Sequence, residues 1–215
     1  MKKFLDRFIT GSLHKGLPAA HGADDAGFYS TVFLDRPGFE VSRSGWTSRA
    51  RIIGAETTDR ERGLSLLTRA WAADRFMTVL GADERSRLGH YLDFVFVPPG
   101  RELIAQEEQG DYALIVLDGV VAVDRIQPWG ARVRLAEARE GDVLGEMALL
   151  DAGNRVSSCT SLSRCILAVL LPQRLDELML IEPRLAAALL ASIGKRLSLR
   201  LRHVSARLGA ALSAD

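Results

Sequence analysis

The stretch GEMALLDAGNRVSS, residues 145–158, joins a glycine and a carboxylate to a short apolar turn, a Gly-Asn turn, an arginine and two hydroxyls. Free N–H groups at the start of a short helix favour an anion. Arg155 offers a planar fork of donors that suits a phosphate, and Glu146 offers an acceptor that suits a sugar hydroxyl. Together they predict a nucleotide-phosphate site. The alternative is that Glu146 and Arg155 pair with each other and brace the loop.

Short apolar runs surround this stretch, and glycine-containing turns separate them at intervals of roughly 8–12 residues. The predicted strands fall at 94–97, 102–105, 112–117, 120–123, 132–136, 156–161 and 165–170. Helical spacing predicts helices near 60–73, 74–80 and 83–90 before the strands, and near 173–180 and 184–211 after them. The fold class is therefore α+β, with an antiparallel sandwich or barrel, flanking helices and a long C-terminal helix.

The chain divides into three predicted segments. Residues 1–58 are rich in turn formers and predict an irregular extension. Residues 59–183 carry the strands and their preceding helices, and residues 184–215 carry the long helix. Within the first segment, residues 2–12 can form an amphipathic helix that docks on a membrane surface or a partner protein. The alternative is that this helix packs on its own domain or frays.

The residues Gly145-Glu146-Met147-Ala148-Leu149 and Arg155 resemble the phosphate-binding cassette of the cyclic nucleotide-binding domain family. That family includes catabolite activator proteins and protein kinase A regulatory subunits. The turns between the predicted strands also resemble the jelly-roll barrel (double-stranded β-helix) of the family, over about residues 75–205.

The resemblance implies a role for each cassette residue. Arg155 would hold the cyclic phosphate and Glu146 would accept the ribose 2′-hydroxyl. The remaining implied ligand-binding residues are the backbone N–H groups near Gly145, Met147, Val156 and Ser157, and the apolar side chains of Leu135 and Leu144. In bacterial activators a Thr-Ser pair on the long helix reaches the base, and that region here holds Arg200. Arg200 could stack on a purine or be exposed.

Val156 departs from the family pattern, because many members carry Ser, Thr or Ala directly after the arginine. Thr at that position tends to favour guanine in the family, and Val156 has no hydroxyl. The resemblance therefore implies cAMP rather than cGMP as the ligand. A larger ligand or a cyclic dinucleotide stays open.

The sequence contains no nucleophile–base pair, no Walker-type loop and no kinase motif, so an enzyme is not expected. Its two cysteines and four histidines lack metal-type spacing, so neither a metal nor a cofactor is expected. The resemblance implies a sensor that acts through protein contacts. The alternatives are a ligand-free barrel used as an interaction or dimerisation module and, less favoured because no helix-turn-helix follows the long helix, a DNA-binding regulator.

The long helix carries an apolar seam whose members are separated alternately by four and three residues: Leu190, Gly194, Leu197, Leu201, Val204, Leu208 and Ala211. This heptad spacing predicts a homodimer through the helix. The alternative is that the seam packs on the barrel of its own chain. Several arginines on the same helix form either a basic partner surface or a solvated face.

The overall charge and hydropathy argue against two classes of function, nucleic-acid binding and membrane spanning. The formal net charge is +1, so no global field attracts the chain to nucleic acid or membrane, and specific nucleic-acid binding is not expected. No apolar run approaches the roughly 18 residues that a membrane span requires. A cytoplasmic protein with reduced thiols is expected.

Overall fold

A computed structural model describes residues 45–213 of the chain. Its helices are α1 (Trp46–Ile53), α2 (Arg60–Ala70), α3 (Ala82–Leu88), α4 (Glu146–Asp151), α5 (Pro172–Ile181) and α6 (Pro183–Leu212). Its strands are β1 (Glu56–Thr57), β2 (Asp93–Val97), β3 (Glu102–Ile104), β4 (Ala113–Asp118), β5 (Val121–Ile126), β6 (Arg132–Ala138), β7 (Val143–Leu144), β8 (Ser158–Ser161) and β9 (Cys165–Leu170).

The strands form two sheets in which every pairing is antiparallel. The larger sheet has the order β1-β2-β9-β4-β7, and the smaller has the order β3-β8-β5-β6. The prediction of antiparallel sheets with flanking helices is confirmed. Strands β2 to β6, β8 and β9 lie within a few residues of their predicted positions, whereas the two-residue strands β1 and β7 are too short to leave a periodic signal.

The larger sheet is apolar on both faces, because successive side chains of a strand point to opposite sides. On β4, Ile115 packs in the cluster formed with the helices, while Leu114 and Val116 pack in the cluster shared with the smaller sheet. The same alternation holds on β9, where Ala168 and Leu167 belong to different clusters. This two-sided burial explains why both strands read as continuous apolar runs.

The predicted helix at 74–80 is wrong, since this segment consists of turns. The carboxylate of Asp74 accepts a hydrogen bond from the backbone N–H of Phe76 at 3.0 Å. It also accepts one from the hydroxyl of Ser192, at 2.9 Å. A short acidic side chain that bonds its own nearby backbone offers the chain an alternative to the helix.

Ordered structure begins inside the segment that the sequence predicted to be an irregular extension. Within 1–58, α1 is helical and β1 pairs with β2. Trp46 and Ile53, at the two ends of α1, are buried in the core that the two sheets share. Because Trp46 and Ile53 are the only large apolar side chains buried from these eight residues, α1 shows little helical periodicity in the sequence. The predicted helix at 2–12 lies outside the described residues.

The long helix α6 matches its prediction and is divided by its surroundings. Up to Leu197 it packs on the core beside the larger sheet, with Leu185, Leu189 and Ile193 buried there. From residue 198 onward every described residue is exposed. We call 183–197 the proximal half and 198–212 the distal half. No helix among residues 45–213 is both long and apolar enough to cross a membrane.

Candidate functional site

Arg155 is buried beneath the turn that opens α4. Its Nη1 donates to the carbonyl of Gly145 and its Nη2 to the carbonyl of Tyr112, both at 2.7 Å. Its guanidinium carbon lies 4.6 Å from the centre of the Tyr112 ring. Its own backbone is fixed by Glu108, whose carbonyl accepts from the Arg155 N–H at 2.9 Å. The guanidinium therefore ties Tyr112 and Gly145 to residue 155, and the backbone bond ties Glu108 to the same residue.

Within residues 45–213, the buried Arg155 guanidinium has no carboxylate partner. Its residue is only 4% exposed, yet none of the ion pairs found within 45–213 includes it. Burial lowers the pKa of this guanidinium, and burial also raises the pKa of the adjacent Tyr112 to about 12. A desolvated cation held only by neutral carbonyls and an aromatic ring favours the arrival of an anion.

Gly145 must be a glycine for two reasons. Its φ of 75° lies in the left-handed region that side chains with a Cβ disfavour. A Cβ added there would also collide with the Nη1 of Arg155 and lie 3.0 Å from the Tyr112 carbonyl oxygen. Gly145 is therefore what allows the guanidinium to lie directly against the turn.

Glu146 is buried and is bound to the long helix. Its Oε1 accepts a hydrogen bond from the Nη1 of Arg200 at 2.6 Å, and the Nη2 of Arg200 donates to the Val143 carbonyl at 3.0 Å. Glu146 therefore pairs with Arg200, and the alternative of a Glu146–Arg155 brace is not what the structure shows. Arg200 is half exposed and is engaged as an ion-pair donor, which neither sequence expectation for it included.

The other predicted site residues differ in their exposure. Met147 in α4, Val156 beside Arg155 and Leu135 on β6 are each between 42% and 48% exposed. Ser157 is partly buried. Leu144 is buried in the core that the two sheets share, so its side chain packs against other core residues. The structure thus brings Gly145, Arg155 and the Glu146–Arg200 pair together and leaves three apolar side chains open to solvent.

A second layer behind Arg155 was missed by the sequence reasoning. The centres of the Trp46 ring of α1 and the Tyr112 ring lie 5.3 Å apart, and the two ring planes form an angle of 62°. The side chain of Arg49 forms a buried ion pair with Glu108. Within the described part of the chain, the Nε of Arg49 and the Oε1 of Glu108 are buried without a hydrogen-bond partner. No local pattern signals this pair, because the two residues are 59 positions apart. Residues 45–213 contain no group of three His, Cys, Asp or Glu side chains placed to hold a metal ion.

Comparison with known families and curated proteins gives matches in the same region. A model described as the cyclic nucleotide-binding domain matches residues 94–182. Two curated relatives, described as CRP-like cAMP-activated global transcriptional regulators of two Mycobacterium tuberculosis strains, are 28% identical over 100 residues. That match covers 46% of this chain and 45% of each relative. The chain thus spans less than half the length of the curated relatives it matches.

Solved structures show the same fold. A cyclic nucleotide-binding domain from Methylobacillus flagellatus has a TM-score of 0.65 and 23% identity, over 71% of this chain and 85% of that one. The Thermus thermophilus catabolite activator protein has a TM-score of 0.53 and 27% identity, over 60% and 62%. A Xanthomonas campestris global regulator described as c-di-GMP responsive has a TM-score of 0.55 and 21% identity, over 60% and 63%.

Proposed function

Residues 94–182 of this chain belong to the cyclic nucleotide-binding domain family, and on that premise we propose that the protein is a sensor that binds a cyclic nucleotide and acts through contacts with other proteins. The observation that carries this proposal is Arg155. Its guanidinium is buried beneath a glycine turn, carries a positive charge and has no carboxylate partner within the described residues. The cyclic phosphate would supply the missing negative charge.

The surroundings of Arg155 suit the rest of a nucleotide. Glu146 would accept the ribose 2′-hydroxyl, because a buried carboxylate needs hydrogen-bond donors. The N–H groups of Gly145, Glu146 and Met147 stand at the start of α4 and would face the phosphate. The exposed apolar side chains of Val156, Met147 and Leu135 would contact the base or the ribose. Leu144 has no part in this site, since its side chain is in the core.

We propose cAMP as the preferred ligand over cGMP. Val156 follows Arg155 and has no hydroxyl to offer a guanine. The curated relatives, described as cAMP-activated, support the same choice. Because a regulator described as c-di-GMP responsive shares the fold, c-di-GMP belongs in any test of specificity.

We also propose that the two antiparallel sheets close as the jelly roll of the family, which their strand orders support.

Calorimetry with cAMP, cGMP and c-di-GMP tests the site through Arg155→Ala. The substitution removes the buried cation beneath the turn, and poor pairing of the phosphate costs roughly 2–5 kcal/mol, at least about 30-fold in affinity. Arg174→Ala is the matched control, because Arg174 is an exposed arginine of α5 whose ion-pair partner among the described residues is Glu177. Arg155→Lys keeps the positive charge but loses the planar pair of guanidinium donors. It therefore separates the affinity lost with the charge from the affinity lost with the hydrogen-bond geometry.

Two results would contradict the proposal. Equal binding by wild type and a folded Arg155→Ala variant would show that the cassette is misassigned. Absence of binding by wild type for all three nucleotides would favour the second candidate, a ligand-free barrel used as an interaction module. That candidate is favoured by one observation: the donors of Arg155 and the acceptor Glu146 already have partners within the chain.

A further inference from the structure

A buried acid lies in the segment that runs past the Arg155 side chain. The carbonyl of Glu108 accepts a hydrogen bond from the backbone N–H of Arg155 at 2.9 Å. Two residues later, a Cβ added to Gly110 would come within 2.5 Å of the Arg155 Nε. Glu108 is only 9% exposed, so water screens its charge poorly. An unneutralised carboxylate at this position would attract the Arg155 guanidinium and oppose its pairing with a phosphate.

Arg49 of α1 neutralises this acid. Its Nη2 forms the buried ion pair with the Oε2 of Glu108. Trp46, one turn earlier on the same face of α1, contacts the Tyr112 ring, over which the Arg155 guanidinium lies. Helix α1 therefore reaches both the acid and the aromatic ring that adjoin Arg155.

The charges in this cluster leave one positive charge unmatched. Burial raises the pKa of Tyr112 to about 12, while the charges of Arg155 and Arg49 oppose that shift and the charge of Glu108 adds to it. Two cations and one anion thus act on the same phenol, which gives a net charge of +1. Burial lowers the pKa of Arg155, and the charges of Glu108 and Asp111 are among those that oppose this shift. Asp111 is exposed, so water screens it, whereas the charge of Glu108 is matched by Arg49.

We propose that Arg49 is a positioning residue of the nucleotide site, which neutralises Glu108 and so keeps the charge of Arg155 available for the cyclic phosphate. This inference rests on the proposed function. It gives α1, which lies before the family match at 94–182, a role in the affinity of the cassette. Arg49 acts through Glu108 and not through contact with the ligand.

The proposal predicts opposite effects for the two members of the pair. Arg49→Gln leaves the Glu108 carboxylate unmatched beside Arg155, so binding of cAMP should weaken on the order of 10-fold. Glu108→Gln leaves the Arg49 guanidinium unmatched, so binding should strengthen by a similar factor. The double variant has a neutral pair and should bind as wild type does. A pair that only braced α1 would give losses of affinity in both single variants, because each breaks the same ion pair.

Calorimetry with cAMP on wild type and these three variants measures the affinities, at about pH 8, where carboxyl groups are ionised. Glutamine can still form a hydrogen bond at either position, and circular dichroism checks that each variant is folded. The matched controls are Arg51→Gln and Glu107→Gln, since Arg51 and Glu107 are exposed neighbours of the same charge. Both controls should stay within about twofold of wild type, because water screens their charges.

The possible outcomes separate this inference from the proposed function. If wild type binds cAMP and the two single variants change affinity in the same direction, or not at all, the role of Arg49 is overturned and the nucleotide site stands. If one single variant does not fold, the other and the double variant decide, because the proposal requires the double to return to the wild-type affinity. If neither wild type nor Glu108→Gln binds cAMP, both the proposed function and the role of Arg49 fail.

Discussion

The two halves of α6 carry the same apolar spacing in different surroundings. In the proximal half, Leu189 is fully buried and Leu197 packs at the edge of the core. In the distal half, Leu201 and Leu208 are 68% and 59% exposed. A heptad seam shows only that a helix needs an apolar partner. Here the core beside the larger sheet is that partner for the proximal half, and the distal half has none within the described chain.

A buried polar network marks the end of the proximal half. Asp74 accepts hydrogen bonds from Ser192 and Arg196. Burial alone would raise the pKa of Asp74, but these bonds and the N–H of Phe76 lower it below its ordinary value of 3.8. A carboxyl whose pKa is lower in the folded state stabilises the fold at any pH above its pKa in the unfolded state. That stabilisation is lost as the pH falls through the pKa of the folded state. The network therefore holds α6 at neutral pH.

The largest expected effect is on association through the distal half. We propose that a second copy of the chain covers Leu201, Val204 and Leu208, because about two heptads of exposed apolar side chains favour pairing. The double substitution Leu201→Glu, Leu208→Glu should abolish a dimer, since it places four carboxylates in the paired seam. The loss should exceed about 4 kcal/mol, or 1,000-fold in the dimer dissociation constant.

Light scattering and sedimentation measure this association, and thermal unfolding checks that the variant is folded. The matched control is Arg202→Glu, Arg207→Glu, which adds two carboxylates to the same part of the helix outside the seam and should still dimerise. A wild type that is monomeric at high concentration, with and without cAMP, would show that the exposed seam has no second copy as its partner.

The next largest effect is a difference in stability between substitutions in the two halves of α6 within one chain. Leu189→Ala removes a fully buried side chain from the core and should lower the free energy of unfolding by about 3 kcal/mol. Leu208→Ala is the matched substitution in the distal half and should change the stability of the monomer by less than about 0.5 kcal/mol. Urea unfolding at low protein concentration measures both. Equal losses would mean that the distal half is packed in solution.

The smallest effect concerns the glycine near the junction of the two halves. Gly194 lies beside a groove of about 430 Å³ between α6 and Phe76, and a Cβ added there meets nothing within 4 Å. Gly194→Ala should therefore raise the free energy of unfolding by about 0.5–1 kcal/mol, as expected for a helix interior. Gly209→Ala, near the end of the distal half, is the control and should give a smaller gain because helix ends fray. Thermal unfolding of the two variants measures both changes in stability. If Gly194→Ala is less stable than wild type, the groove is occupied in solution.

The parts that could be predicted from the sequence share a local pattern. Strand β9 is a continuous apolar run bounded by turns, and the cassette joins Gly145, Glu146 and Arg155 in one stretch. The missed contacts join charged residues far apart in the chain, such as Arg200 with Glu146 and Arg49 with Glu108. Their pairing depends on how α6 and α1 pack against the two sheets, and no spacing of neighbouring residues encodes that packing.

The anchoring of Arg155 has a consequence for how this site could change over evolution. Its guanidinium satisfies two backbone carbonyls and stacks on Tyr112, so selection for folding alone would keep an arginine there. A descendant that stopped binding nucleotides could retain Arg155 and Gly145 for generations. Glu146 has a different constraint, because its carboxylate in α4 is paired with a cation of another helix, Arg200 of α6, and the two could be lost together. Among relatives, joint loss of the acid and of the Arg200 cation would therefore mark a lost ligand sooner than any change at Arg155.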